Sequence, residues 1–332
     1  MAARKSSQPP LTTPPPAREK HPAGLNTDLA LSEYGRAILR LHFDALLRNE
    51  AGTRLGQDIL ALHDMRVAAR RLRAVFDVFA PAFCPRSASH LLHQLRAVRR
   101  ALGPVRDLDV FIENARQYEE KTGLSLQILI TSWQRERQTA RQRMLVYLDS
   151  AAFETFKADF GKFIQTPGLG ARADDPQSPH PQLTWQAAPL LIYERYADLL
   201  ACDSLIPQAS PQQLHDLRIR FKKLRYAVES FRELLGQPAA LFIADLKIMQ
   251  DHLGNLNDAH LACELLSGLL ARLEAQAQKL PFGLRPDLDG IQAYLTSLRG
   301  QQRQLSETFP SAWAHFNRPA CRQNLALGLA EL

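Results

Sequence analysis

Two short blocks of this 332-residue chain place histidine and cationic side chains at helical spacing. His63, Arg66, Arg70 and Arg73 follow one another at steps of three, four and three residues, and His215, Arg218, Lys222 and Arg225 repeat those steps 152 positions later. On a helix turning about 100° per residue, each set falls on one narrow face. Arginine offers a planar fork of donors to phosphoryl oxygens, lysine a compact charge, and histidine a ring that can gain a proton beside an anion. Neighbouring like charges on a helix face repel by about 0.2–0.5 kcal/mol per pair, and no acid shares either face, since Asp64 and Asp216 point about a quarter-turn away. A single run of this kind is commonly a solvated face. Its repetition in register favours a site for a multivalent anion.

The elements that carry these residues follow from the same two strings, HDMRVAARRLRAVF from His63 and HDLRIRFKKLRYAV from His215. Met65, Ala69, Leu72, Phe76 and Phe79 form an apolar face separate from the first stripe, and Leu217, Phe221, Leu224, Val228 and Phe231 do the same for the second. Each helix therefore packs on one side and offers cations on another. A second pair of strings, LRAVRRALGPVRDLDVF from Leu95 and LKIMQDHLGNLNDAHLA from Leu246, matches at nearly the same offset. Arg96, Arg99 and Arg100 share a face in the first copy, where Lys247 and Gln250 stand in the second. Gly103 and Gly254 read as helix ends in the left-handed conformation, with Pro104 as a stop. Asp107 and Asp258 then read as caps of a following helix or as partners for a stripe arginine.

Matched blocks at matched spacing point to an internal duplication. Ala, Leu, Arg, Gln and Glu dominate outside the Pro-rich segments, so the expected fold is all-α. Residues 1–25 form a Pro-rich tail too poor in large apolar residues to fold. Residues 26–165 make the first helical repeat, 166–184 a Pro- and Gly-bearing linker, and 185–332 the second repeat.

Composition sets the remaining bounds. A formal charge of +7 directs attention to polyanionic partners, and 45% hydrophobic content suits a packed core. No apolar run suits a signal peptide or a membrane span, so a cytoplasmic location is expected. Cys84, Cys202, Cys263 and Cys321 are too scattered for a zinc or redox motif and are expected as reduced thiols. No cofactor and no metal site is expected. A linear polyphosphate, charged at every unit, could follow cations along two facing helices, and its binding should weaken steeply with salt.

The strings HDMRVAARRLRAVF and ALGPVRDLDVF, then LHDLRIRFKKLRYAVESF and LGNLNDAH, resemble the CHAD family, the conserved histidine α-helical domain, over roughly residues 28 to 330. The resemblance implies an eight-helix or slightly larger domain made of two four-helix bundles related by a pseudo-twofold axis, with a central basic cavity or pore. It also implies binding of inorganic polyphosphate there, and association with polyphosphate granules in a bacterial cytoplasm. Carried onto this sequence, the family's positions fall on His63, Arg66, Arg70, Arg73 and Arg106, and on His215, Arg218, Lys222, Lys223 and Arg225. Arg96, Arg99 and Lys247 join them from the second block. Arg71 and Lys223 lie off the main stripe on the wheel. Asn257 stands in place of Arg106, and His260 in place of Asp109, so the halves should contribute unequally.

Two other functions compete. A nucleic-acid-binding surface would share the basic helices but would want exposed aromatics among them, whereas Phe76, Phe79, Phe221 and Phe231 sit on the apolar faces and only Tyr226 lies near the basic side. A metal-dependent HD phosphohydrolase would use His42, His63, Asp64 and Asp107, yet its cation would sit beside Arg66 and Arg70. The expected protein is a binding module and not an enzyme.

Overall fold

The computed structural model describes residues 25–173 and 181–332, and among them the fold is all-helical. Most of the expected tail, and the middle of the expected linker, lie outside the described residues. The first half holds α1 (Leu31–Arg48), a short α2 (Glu50–Leu55), α3 (Ile59–Val78), α4 (Pro85–Thr122), α5 (Gln127–Leu148) and α6 (Ala151–Gln165). The second holds α7 (Thr184–Leu200), α8 (Pro211–Ser230), α9 (Arg232–Ala277), α10 (Asp289–Phe316) and α11 (Pro319–Leu329). Setting the short α2 aside, each half contributes five helices, in keeping with the slightly enlarged eight-helix domain that the resemblance implies.

Local chemistry starts the two stripe helices. Asp58 caps α3, its carboxylate accepting from the Leu60 N–H at 2.7 Å. Ser210 caps α8 in a reciprocal box with Gln213, and Pro211 occupies the first helical position. The expected helix ends at Gly103 and Gly254 are not formed. α4 runs through Gly103 and Pro104 to Gly123, whose left-handed φ of 73° ends it, and α9 runs through Gly254. Proline inside a helix costs one hydrogen bond and a local clash, and Leu95, Val98, Leu102 and Val105, all buried on one face of α4, hold the helix together across that point. α9 does break at Gly236, with φ 64° and ψ −158°, so its long straight part follows that residue.

The apolar faces read from the sequence are buried: Met65, Ala69, Leu72, Phe76 and Phe79 on α3, and Leu217, Phe221, Leu224, Val228 and Phe231 on α8. The halves share this core. The Phe79 and Phe231 rings lie 5.2 Å apart and Tyr34 of α1 is 5.5 Å from Phe231. The Tyr34 hydroxyl donates to the Ser230 carbonyl at 3.2 Å. α3 and α8 pack directly against each other. A second apolar cluster joins Ile112 and Ala115 of α4 and Ile130 and Trp133 of α5 to Leu266 of α9 and Ile291 and Tyr294 of α10.

The described ends of the linker are tied to the body. Buried Arg36 donates to the carbonyls of Phe163 and Leu169, supplying partners that the end of α6 lacks. Leu31 N–H donates to Gln182 O at 2.7 Å, and Thr184 Oγ1 to Leu29 O at 2.8 Å. No described helix is long and apolar enough to cross a membrane. All four cysteines are free thiols; Cys263 and Cys321 are buried, Cys84 and Cys202 partly exposed.

Candidate functional site

With their apolar faces buried against the shared core, α3 and α8 bring their cationic stripes close to one another. Lys222 of α8 marks the meeting point. Burial pushes its ammonium down to about 8, and Arg70 of α3, Arg218, Arg99 of α4 and Arg225 push the same way. Cations from three helices therefore act on one lysine. Arg99 keeps surface open to solvent, yet it too is held below the usual arginine range by desolvation and by Arg73, Arg66 and Arg70, with Asp77 opposing. Arg106 of α4 is lowered by burial and Arg66, against the pull of Asp109 and Asp107. His63 is lowered first by burial, then by Arg106, and further by Arg70 and Arg66, while Asp64 raises it. It is neutral near pH 7.

Carboxylates do reach some of the stripe. Arg66 donates to Asp107 at 2.6 Å, which fulfils for Asp107 the arginine-holding role open to it in the sequence. Arg73 bonds Asp77 at 3.2 Å, and Arg225 lies 3.4 Å from Glu229. Both pairs are separated by four residues on one helix, so a spacing search extended one turn past each stripe finds them. Among the described residues Arg70, Arg99, Arg106, Arg218 and Lys222 have no carboxylate within ion-pair distance, and the buried Arg70 Nε has no hydrogen-bond partner. Such a cluster is suited to a multivalent anion, which would neutralise several unpaired cations at once.

The two halves differ where the sequence differs. His215 is exposed, and its Nδ1 lies 2.8 Å from Asn257 Oδ1, whereas His63 feels the charge of Arg106 at the matching place. Asp109 is buried and accepts from Arg137 of α5, while His260 at the matching place contacts Gln302 of α10 at 3.3 Å. Neither of these inter-helix partners, Arg137 nor Gln302, is visible from the repeated strings, because they lie outside them.

Not every expected residue joins the cluster. Lys223 points elsewhere: it lines a groove with Arg195, Asp198, Asp216 and Arg220. Arg96 and Lys247 are exposed and make no ion pair among the described residues. Tyr226, read as near the basic side, is buried, with Arg225 over its ring at 5.4 Å. No group of three or more His, Cys, Asp or Glu among the described residues is placed to hold a metal ion.

An all-helical domain in which α3 and α8 pack together and carry His, Arg and Lys at the same helical steps defines a narrow class of proteins. The model of the CHAD domain family matches residues 37–267, and the chain belongs to that family. The crystal structure of the CHAD domain from the plant Ricinus communis is similar, with a TM-score of 0.65 and 25% identity over 96% of this chain and 98% of that one. PptA from Streptomyces chartreusis shares the fold at a TM-score of 0.62 and 16% identity, over 86% of this chain and 100% of that one. No curated protein matches the sequence.

Proposed function

We propose that this protein binds inorganic polyphosphate through the cationic cluster between α3 and α8, flanked by α4 and α9, and that it acts as a binding module and not as an enzyme. The observation that carries this reading is the environment of Lys222, on which Arg70, Arg99, Arg218 and Arg225 converge from three helices. Folding holds these cations together at a cost, and a flexible chain with a charge on every unit can relieve several of them together. Arg66, Arg70, Arg73, Arg99, Arg106, Arg218, Lys222 and Arg225 supply the charge, with His63 and His215 touching the chain directly or through water. Lys223, Arg96 and Lys247 extend the basic surface outside the cluster. The family resemblance implies the same ligand, and with it a central basic cavity and a place at polyphosphate granules in the cytoplasm.

Nucleic acid is the competing ligand. Stacking platforms would be needed among the cations, and Phe76, Phe79, Phe221, Phe231 and Tyr226 are all buried. A competition titration separates the two: polyphosphate displacing labelled RNA at far lower monomer concentration supports the proposal, and the reverse order defeats it. Joint charge reversal of Arg66, Arg70, Arg218 and Lys222 should abolish binding while leaving the helical circular dichroism intact; retained affinity would put the site elsewhere. Phosphate release from polyphosphate or nucleotides in the presence of manganese or magnesium would overturn the non-enzymatic part.

A further inference from the structure

Gly103 of α4 and Gly254 of α9 are glycines that contacts with other helices do not require. Both lie inside long helices, and positive φ among the described residues is confined to Gly56, Gly123, Gly168, Gly170 and Gly236. Packing does not require them either. Outside its own chain neighbours and helix backbone, a Cβ built at Gly103 or Gly254 meets no atom within 4 Å, whereas at Gly290 it would strike the Ser125 carbonyl oxygen at 2.2 Å and at Gly35 the Phe79 ring at 2.8 Å. Glycine is the least favourable residue in a helix interior after proline; Pro104 disfavours a side chain on the helical residue before it and so gives Gly103 a local reason, and no such neighbour explains Gly254.

Other helical glycines also face open space, Gly300 of α10 among them. Gly103 and Gly254 differ from these in two respects. They occupy the same place in the repeated strings ALGPVRDLD and HLGNLNDAH. They also lie on the helix faces turned to the stripes. Arg99 and Arg106, four residues before and three after Gly103, share its face, and both are acted on by Arg66 of α3. Gln250 and Asn257 stand at the same steps around Gly254, and Asn257 contacts His215 of α8 while the buried Gln250 Oε1 has no partner.

We infer that Gly103 and Gly254 are the two places where the bound phosphate chain lies directly on helix backbone, so that a side chain at either would lift it away from the flanking cations. This rests on the proposed ligand and deepens it. A glycine on a helix removes the Cβ that otherwise holds a ligand off the backbone, and phosphoryl groups without bulky substituents can use that room. A polymer carrying sugars and bases at every unit cannot lie as closely. The two glycines thus act as positioning and selectivity residues for a narrow polyanion.

The test is a pair of measurements on the full chain: thermal unfolding, and titration with long-chain polyphosphate. Gly254→Ala should melt no lower than the parent, because alanine is the better helix former, while Gly103→Ala and the double variant should melt slightly lower from the clash of the new Cβ with Pro104. Affinity of the double variant should fall at least tenfold, with the gap between polyphosphate and RNA narrowing. Gly300→Ala serves as the control and should leave affinity unchanged. A double variant that binds as tightly as the parent overturns the inference, and so does a lowered melting temperature of Gly254→Ala, which would reveal a packing role. Failure of the parent itself to bind polyphosphate would instead overturn the proposed function, and this inference with it.

Discussion

Asp107 of α4 accepts a hydrogen bond from Arg66 of α3 at 2.6 Å, which places a carboxylate inside an otherwise cationic cluster. The pair is partly solvated, with side chains 38% and 52% exposed, so its contribution to stability falls in the weak range of about 0–1 kcal/mol. In the presence of a polyanion the same carboxylate is a repulsive neighbour. Asp107→Asn should therefore tighten polyphosphate binding several-fold while lowering the melting temperature only slightly. Isothermal titration and thermal unfolding of the variant check both parts.

Lys222 makes binding depend on pH. Its ammonium is pushed down to about 8 by burial and then by Arg70, Arg218, Arg99 and Arg225, and a bound polyanion reverses the electrostatic part by favouring the charged form. Binding should take up a proton near pH 8, and affinity should fall as pH rises through that value. Lys222→Arg, charged throughout, should flatten this step. In the unliganded protein the sign is opposite. The folded value lies below the unfolded 10.5, so the unfolded chain holds more protons between about 8 and 10.5, and stability rises with pH across that window. His63, lowered by burial and Arg106, should add a second rise in affinity as pH falls below 6.5.

Arg106 accounts for part of the difference between the halves. It is half of an Arg–His arrangement in the first half, where the second half has Asn257 bonded to His215. Arg106→Asn makes the two sides alike. It should weaken polyphosphate binding roughly tenfold and make the salt dependence shallower by about one counterion, by analogy with phosphate contacts in nucleic-acid complexes. Titration at several salt concentrations reads both effects.

Phe231 joins the halves, its ring 5.2 Å from Phe79 and 5.5 Å from Tyr34. Truncating a fully buried phenylalanine costs about 3–5 kcal/mol. Phe231→Ala should lower stability by that order and keep a single unfolding transition, since the core runs through both halves. Two resolved transitions in calorimetry would show that the halves unfold independently.

The stripes were legible because helix geometry alone fixes which side chains share a face, and the burial of Leu72 and Leu224 follows from the same spacing. The continuity of α4 was not legible. Gly103 and Pro104 carry local stop signals, and only the buried face of Leu95, Val98, Leu102 and Val105 overrides them. The displacement of Lys223 was half visible, since the wheel put it off the stripe, but its groove with Arg195 depends on how α7 packs against α8. The Asp109–Arg137 contact depends in the same way on the pairing of α4 with α5, which no short string encodes.

Direct titration of the protein with polyphosphates of several lengths, at two salt concentrations, bears most closely on the convergence of cations around Lys222. Saturable binding that tightens with chain length and weakens steeply with salt is the expected result. Absence of binding at low salt, or an affinity indifferent to salt, would contradict the account.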